Sequence, residues 1–425
     1  MDASVEAAVA DAHRREWAFV LAATVRVTGD LDRAEECVQE AYARALATWP
    51  EQGVPDRPGA WLTTVARRRA IDQLRRDATH ARVLPQLVGT GIGPDDRPDE
   101  PPVGAGGDGP LEDDRLRLIF TCCHPALAPE AQVALTLRLV CGLTTAEVAR
   151  SFLVAEATMA ARITRAKKKI AAARIPYRVP AAAELPGRID AVLTVVHLVF
   201  TTGHTSPAGS ALVRTDLVER ALHLARMLRS LLPDDPDVAG LLALILLTDA
   251  RRPARTSADG TLTLLADQDR TRWDADEIAE GLGLVREALG RRPPGRFALM
   301  AAIAAVHAEA PSWSATDWAE LVGLYDLLVR IWPSPVVALN RAVAVGFADG
   351  PEAGLEALDA LVDEPQLADY AYLASARADL LRRLGRHDEA ADAYRRALEL
   401  TDNDVEARFL EARLAESEQG QRPAS

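Results

Sequence analysis

The stretch Leu143–Ile170, LTTAEVARSFLVAEATMAARITRAKKKI, decides the fold around it. Thr144 or Thr145 followed by Glu147 predicts a helix start, because a threonine hydroxyl accepts N–H groups of the first turn. Apolar residues then recur at helical spacing on both sides of a short turn at 153–155. These residues are Val148, Ala149 and Phe152, then Met159, Ile163, Ala166 and Ile170. Two short helices with a basic second helix are typical of a helix-turn-helix, although an ordinary helical hairpin has the same pattern.

Basic charge gathers in two helices of this chain. Residues 157–183 carry seven basic residues and no acid, and residues 61–82 carry six arginines against two aspartates. One such cluster alone is usually a solvated helix face. Two clusters, separated by the Gly/Pro-rich acidic stretch 85–110, favour a two-point grip on DNA, since Lys and Arg displace counterions from phosphates. The stretch 85–110 is predicted to be a flexible linker.

Length and composition restrict the remaining classes. The chain has 425 residues, 48% hydrophobic residues and only 5% aromatics, and an apolar content dominated by Ala and Leu favours helix over strand. The net charge of −13 argues against a protein that coats nucleic acid along its whole length. Four cysteines are too few for a disulfide framework, and neither the charged start nor residues 191–213 resembles a signal or a membrane span. A cytoplasmic protein without a membrane partner is therefore expected.

The helix-turn-helix stretch resembles region four of the sigma-70 family of bacterial transcription initiation factors, in particular the extracytoplasmic-function group. The family run is E-[IV]-A, a turn, then T-V-x-x-R-[LI]-x-R-A-[RK]-K. This chain matches it with Glu147, Val148, Ala149, Thr158, Met159, Arg162, Ile163, Arg165, Ala166, Lys167 and Lys168. It departs at Leu153, Ala155 and Ala160, which leaves the base preference open.

The resemblance implies that this unit reads the minus-thirty-five promoter element and contacts the beta flap of RNA polymerase. The residues it assigns to that DNA contact are Thr158, Ala161, Arg162, Arg165, Lys167 and Lys168.

An upstream segment, Gly29–Pro50, resembles region two of the same family through the pattern G-D-x-x-x-A-E-[DE]-x-[VT]-Q-E-x-[FY]. In the family this helix docks on the beta-prime clamp helices of core RNA polymerase. The residues implied in that contact are Asp32, Ala34, Glu35, Glu36, Val38, Gln39 and Glu40. Residue spacing predicts an acidic face next to a flat surface of small side chains at Ala34, Val38, Ala41 and Ala45. Taken alone, the segment would be read as a solvated acidic helix.

The next run, Pro58–Arg76, resembles the family segment that reads and opens the minus-ten promoter element. The residues implied in that contact are Trp61, Arg67, Arg68, Gln73, Arg75 and Arg76. Arg-rich helices follow phosphates, and an aromatic side chain is able to hold an unstacked base. Trp61 also lies in phase with Leu62 and Val65, so core packing is the favoured role for its ring.

The end of the chain contains a repeat. Leu384–Ala407 resembles a tetratricopeptide unit, and a weaker copy lies about 37 residues upstream, close to the ~34-residue period of such repeats. Stacked units form a concave surface suited to peptides or helices, although two weak copies would also suit the end of a helical bundle.

Between these parts, Arg251–Asp274 combines many charged residues with the short hairpin-like run TLTLL at 261–265. This composition predicts either a buried ion-pair network or a solvated loop. The segment is similar to one in sigma factors that have a long C-terminal extension with tetratricopeptide-like repeats. That resemblance implies a built-in regulator, which acts on the DNA-binding units or through a separate regulatory protein.

Neither a metal site nor catalysis is expected. Cys122, Cys123 and His124 are adjacent in sequence, without a second ligand pair at metal spacing, so a helical core is favoured over zinc. His197 and His204 have no nucleophile motif or phosphate loop near them. The chain is therefore predicted to use no cofactor and to have no enzymatic activity.

Together these patterns predict an all-α protein that directs RNA polymerase to promoters. The predicted parts are a region-two bundle at 1–84, a flexible linker at 85–110, a region-four helix-turn-helix at 111–180, a helical extension at 185–330 and tetratricopeptide-like repeats at 331–415. Two other classes remain open: a helix-turn-helix regulator that acts without polymerase, and a tetratricopeptide scaffold. The acidic region-two helix followed by the Arg67–Arg76 helix argues against both.

Overall fold

The computed structural model describes residues 3–87, 114–152, 154–181, 183–206, 208–257 and 260–420. The chain is helical through most of these ranges, which confirms the all-α prediction. It forms two compact units, residues 1–195 and 196–425. Most of the predicted linker, from residue 88 onward, lies outside the described residues, so its flexibility stays a prediction.

The first unit begins with a bundle of three helices that pack on one another. Gly29, with φ of 65°, ends the first helix, and the Asp30 side chain accepts the N–H of Arg33 to start the second. Shorter helices follow, and one segment of them is π-helical. The elements are α1 Ala3–Thr28, α2 Leu31–Gln52, α3 Pro58–Leu87, α4 Asp114–Cys122, α5 Pro129–Leu135, the π-helix Thr136–Val140, α6 Thr145–Ser151, α7 Glu156–Ala172 and α8 Leu185–His204.

The three-helix bundle and the later short helices pack together within the first unit. The buried Trp17 Nε1 donates a hydrogen bond to the carbonyl oxygen of Leu139 at 3.0 Å, and the Tyr177 hydroxyl donates to that of Ala22 at 3.0 Å. Gly142 has a φ of 72°, and a Cβ there would lie 3.0 Å from the Trp17 ring. The parts predicted as separate small domains therefore share one compact body.

The second unit continues from the end of α8 through a helical array. Its helices are α9 Thr215–Leu231, α10 Pro236–Asp249, α11 Ala275–Leu289, α12 Arg296–Glu309, α13 Trp318–Ile331, α14 Pro335–Ala348, α15 Pro351–Asp359, α16 Ala371–Arg383, α17 His387–Glu399 and α18 Asp404–Gly420. Sequence neighbours pack closely, for example α14 on α15 and α16 on α17. Gly346 and Gly354 let α14 and α15 approach, because a Cβ on Gly354 would lie 2.6 Å from the Gly346 Cα.

Strand structure in the described residues is minimal. β1, Ala208–Gly209, pairs in parallel with β2, Asp402–Asn403. The run TLTLL forms one antiparallel bridge, between Thr256 and Leu262, so the predicted hairpin is present only as a single bridge. One described helix, α8, is long and apolar enough by length and composition to cross a membrane. Its apolar residues Val192, Val196 and Phe200 are buried in the protein.

Candidate nucleic-acid interface

The helix-turn-helix forms as its sequence predicts. Thr144 caps α6 by accepting the N–H of Glu147 at 3.2 Å, while the Glu147 carboxylate accepts the N–H of Thr144 at 2.7 Å, a complete capping box. In α7 the buried residues are Met159, Ile163, Ala166 and Ile170, the stripe expected from spacing. Burial of this stripe turns the rest of α7 outward. Leu153, in the turn between α6 and α7, lies outside the described residues.

Most residues predicted to contact the minus-thirty-five element lie on the outer faces of α7. Thr158, Ala161, Arg165 and Lys168 are exposed. Arg162 is half-buried, with its guanidinium 5.4 Å from the centre of the Phe152 ring. An exposed basic helix of this kind suits phosphate and base-edge contacts.

The residues predicted to contact the minus-ten element lie on α3. Arg68, Arg75 and Arg76 are exposed, and Arg67 is half-buried. The half-buried Gln73 accepts a hydrogen bond from the Cys37 thiol at 3.2 Å, which attaches it to α2.

Trp61, the remaining member of that set, is half-buried, and its ring meets the buried Trp49 edge-on at 5.5 Å. The ring therefore packs within the bundle, as the sequence analysis favoured, while keeping part of its surface open.

One prediction for α2 is wrong. The small residues Ala34, Val38, Ala41 and Ala45 do not form an exposed flat surface, because all four are fully buried. They face α1 and α3 in the bundle core, where small side chains allow close helix packing. The exposed members of the predicted polymerase-binding set are Asp32, Glu36, Gln39 and Glu40. Glu40 forms an ion pair with Arg69 of α3 at 2.6 Å.

A charged cluster joins α2 to the helix-turn-helix. The Lys167 ammonium contacts the carboxylates of Asp32, at 2.6 Å, and Glu35. Arg138, in the π-helix, contacts the other oxygen of Glu35 at 2.8 Å. The Lys167 and Glu35 side chains are only 11% and 6% exposed. Burial alone lowers the pKa of Lys167, but the two carboxylates outweigh it and raise that pKa above its ordinary value, so the lysine stays charged.

This cluster combines residues that the sequence assigned to different tasks. Lys167 was predicted to contact DNA, and Asp32 and Glu35 to contact polymerase, yet here they contact one another. Arg138 was missed by the sequence analysis, although a single arginine inside the apolar run Val133–Val140 is a signal that a buried partner exists. A cavity of about 310 Å³ opens beside the cluster, between α2 and α7.

The cysteine–histidine run lies in the core. Cys122 and Cys123 are buried, and burial raises the pKa of the Cys123 thiol to about 12. The His124 ring accepts the N–H of Ala126 at 3.1 Å. Over the described ranges, no three His, Cys, Asp or Glu side chains are grouped as they would be around a metal ion.

The charged segment 251–274 differs from the predicted ion-pair network. Three arginines of the segment donate hydrogen bonds to backbone carbonyl oxygens. Arg255 donates to His204, Arg270 donates to both His307 and Ala310, and Arg272 donates to Pro253. The ion pair between Arg252 and Asp249, at 3.3 Å, matches the prediction. The segment is therefore fixed mainly by arginine–carbonyl hydrogen bonds; Asp259 lies outside the described residues.

Comparisons with known proteins agree with this architecture. Family models described as Sigma-70 region 2 and Sigma-70, region 4 match residues 13–79 and 117–170. A tetratricopeptide repeat model matches residues 371–404, and a family of unknown function (DUF6596) matches residues 188–289. The fold and its basic and acidic helices thus define a sigma-70-type transcription initiation factor.

Similar proteins indicate which group of sigma-70-type factors this chain belongs to. An uncharacterized protein of Rhizobium meliloti, R00370, is 43% identical over 93% of this chain and 92% of its own length. The ECF RNA polymerase sigma factor SigL of Mycobacterium tuberculosis is 34% identical over 38% of this chain and 86% of its own length. SigJ of the same organism is 34% identical over 36% of this chain and 47% of its own. The chain belongs to the ECF RNA polymerase sigma factor family, whose members initiate transcription and are not enzymes, and it carries a C-terminal tetratricopeptide extension.

Proposed function

We propose that this protein binds core RNA polymerase in the cytoplasm and directs it to specific promoters. Residues 29–46 bind the beta-prime clamp helices, residues 50–82 read and open the minus-ten element, and residues 143–170 read the minus-thirty-five element beside the beta flap. The observation that carries the proposal is the pair of exposed basic surfaces on α3 and α7 in a member of this family. Such surfaces supply phosphate contacts, while exposed side chains near the N-terminal end of α7 supply base contacts.

Run-off transcription tests this proposal. Core polymerase with the full chain should produce promoter-specific transcripts from the DNA upstream of the protein's own coding sequence. The double variant Arg165→Ala/Lys168→Ala should lower transcript yield at least about tenfold, since each lost phosphate contact weakens DNA binding. The matched control is Arg330→Ala, an exposed arginine of the extension, which should transcribe like the original chain. DNA binding with no polymerase-dependent transcript would support a regulator that acts alone.

Polymerase binding is tested separately through α2. Glu36→Lys reverses an exposed charge on the acidic face and should weaken capture of core polymerase in a pull-down. Glu411→Lys makes the same change on the exposed face of α18 and serves as the control. Equal capture by both variants would contradict a polymerase contact at α2.

The contact of Lys167 with Asp32 and Glu35 suggests that the first unit opens when it works. While the contact holds, the Lys167 side chain is paired with α2 and does not reach DNA phosphates, and the Glu35 carboxylate does not reach polymerase. We therefore infer that promoter phosphates take the place of the carboxylates at Lys167, and that polymerase takes the place of Lys167 at Asp32 and Glu35. Each ion pair is then exchanged for another, at little net electrostatic cost. Lys167→Met should reduce promoter binding less than Lys168→Met, because the first change also releases the closed form. A larger loss for Lys167→Met would argue against opening.

We also propose that the extension regulates these acts, either directly or through a separate regulatory protein. An acidic extension is suited to shield basic helices, and such shielding weakens with salt. A chain that ends at residue 180, checked for folding by circular dichroism, should still bind core polymerase but transcribe at a changed level. Loss of polymerase binding by the folded, shortened chain would contradict this division. Shielding that does not change with ionic strength would contradict an electrostatic mechanism.

A further inference from the structure

A cavity of about 1080 Å³ lies inside the second unit, and its lining includes none of the residues assigned to polymerase or DNA. Its floor is formed by one face each of α14, α16 and α18, the alternate helices of the repeat array. Its cover consists of the end of α8 with Thr205, Ser206 and Leu212 after it, and of Arg255 with residues in the range 262–267. The volume lies just above the range typical of small-molecule sites, about 300–1,000 Å³.

The cover is fixed to the repeats by specific hydrogen bonds. The Asn403 amide, itself 1% exposed, donates to the carbonyl oxygens of Ser206 and Ala211 at 3.0 Å each, next to the β1–β2 pairing. Arg255 ties the other part of the cover to α8 by donating to the carbonyl of His204 and to the Thr205 hydroxyl at 3.1 Å. A surface that would be an open groove in a bare repeat array is thus a preformed cavity. Such a shape favours a compact small molecule over an extended peptide.

Aromatic rings form part of the lining. Trp313 meets Phe347 edge-on at 5.1 Å, and the Tyr370 and Tyr372 rings lie 5.3 Å apart. Flat, rigid rings of this kind bind the faces and edges of a ligand ring at low entropic cost.

Two arginines give the cavity its charge preference. Arg255 bonds to neutral oxygens, and Arg383 donates to the carbonyl of Gly346 while its guanidinium lies 4.3 Å from the centre of the Phe347 ring. Neither forms an ion pair with a carboxylate among the described residues. Two other lining arginines differ, since Arg382 pairs with Asp379 and Arg413 with Glu416.

The lining carboxylate whose charge acts on Arg255 already has a hydrogen-bond partner. Glu406 accepts a hydrogen bond from the Tyr372 hydroxyl, and it interacts with Arg255 only as a nearby charge. The charges of Arg255 and Arg383 therefore remain available, and guanidinium groups bind carboxylate, sulfonate and phosphate oxygens well.

We propose that this cavity binds a small organic anion that carries an aromatic ring, with the anionic group at Arg255 and Arg383 and the ring against Trp313 and Phe347. The site lies entirely within residues 196–425 and its test requires no polymerase. Its failure would therefore leave the sigma-factor function untouched, and the reverse also holds.

Two fluorescent probes test the proposal on the full chain. The probe 8-anilinonaphthalene-1-sulfonate has an aromatic body with one anionic group, and N-phenyl-1-naphthylamine has the same rings without the charge. The anionic probe should bind one site per chain, at least about tenfold tighter than the neutral probe, as a charged hydrogen bond of about 1.5–3 kcal/mol implies. Calorimetry gives the stoichiometry and fluorescence gives the affinity.

Matched variants locate the site. Arg383→Gln should weaken the anionic probe about tenfold and leave the neutral probe unchanged, whereas Arg383→Lys should recover part of the affinity. The control, Arg386→Gln, removes an exposed arginine that pairs with Glu389 outside the cavity, and should change neither probe. Ser375→Trp, which places a large ring in the cavity, should abolish binding of both probes.

The proposal is wrong if both probes bind equally, if Arg383→Gln binds the anionic probe like the original chain, or if that probe fills many weak sites. If circular dichroism shows that Arg383→Gln unfolds the chain, binding of the anionic probe to Ser375→Trp becomes the test of the proposal. A folded Ser375→Trp chain that binds the anionic probe normally would also overturn the proposal.

Discussion

Two half-buried basic clusters in this protein are stabilised in different ways. In the first unit, Lys167 and Arg138 face the carboxylate of Glu35. In the second unit, Arg255 and Arg270 face backbone carbonyl oxygens. Both arrangements provide acceptors for the basic groups, yet only the first neutralises their charge.

The difference has a functional consequence. An ion pair between side chains is exchangeable, since DNA phosphates or acids of another protein offer equivalent partners to Lys167. A bond to a carbonyl is part of the fold and leaves the positive charge uncompensated. The first cluster therefore suits a contact that opens and closes, whereas Arg255 of the second cluster suits the fixed anion site proposed above.

The largest expected effect comes from removing the shared carboxylate. Glu35→Gln leaves Arg138 without its carboxylate partner and Lys167 with only the exposed Asp32, which should lower the free energy of unfolding by about 3 kcal/mol. The adjacent, exposed Glu36→Gln is the control and should change it by less than about 0.5 kcal/mol. Urea unfolding measures both variants. Similar values for the two would mean that the cluster contributes nothing to stability.

The free energy of unfolding should fall at acid pH, because burial and the positive charges of the second cluster disfavour protonation of a nearby histidine. Burial, then the positive charges of Arg251 and Arg270, lower the pKa of His307 to about 4. In the unfolded chain this pKa returns to about 6.5, so the unfolded state binds more protons and stability falls as pH falls below 6.5. The loss from this group between pH 7 and pH 5 should be about 2 kcal/mol.

His307→Gln should remove that part of the pH dependence, as measured by urea unfolding at both pH values. The control is Ser230→Ala, at an exposed position in α9, which should leave the pH dependence unchanged. An unaltered pH dependence in His307→Gln would place the acid sensitivity elsewhere.

The salt dependence of stability should distinguish arginine–carbonyl hydrogen bonds from ion pairs between side chains. Arg255→Met should destabilise the protein by about 1–2 kcal/mol, through unpaired acceptors and lost packing, and the loss should be similar in low and high salt. A loss that shrinks strongly in 1 M salt would indicate that ion pairing, rather than carbonyl bonding, fixes Arg255.

The smallest expected effect concerns Asp32, whose side chain is 66% exposed. A double-mutant cycle of Asp32→Asn and Lys167→Met should give a coupling of at most about 1 kcal/mol, and it should decrease with salt. A cycle with Lys168→Met in place of Lys167→Met should give no coupling. Coupling in the second cycle would show that the effect is not specific to the contact.

Local patterns in the sequence predicted local structure well. The buried stripe of α7, the capping box of Thr144 and Glu147, and the buried Ala390, Tyr394 and Ala397 of the repeat follow from spacing and capping chemistry over a few residues. The flat face on α2 was predicted wrongly, because small residues suit an exposed contact surface and a tight core equally well.

The sequence by itself determined the all-α fold, the order of the sigma regions and the basic faces of α3 and α7, since each depends on neighbours within a turn or two of helix. The tertiary structure decided how the charges are used. Lys167 meets Glu35 across 132 residues, and the cavity forms only where a segment near residue 208 pairs with one near residue 402. The sequence shows which charged residues are present. The partner of a buried charge, however, depends on which distant segments the packing brings together.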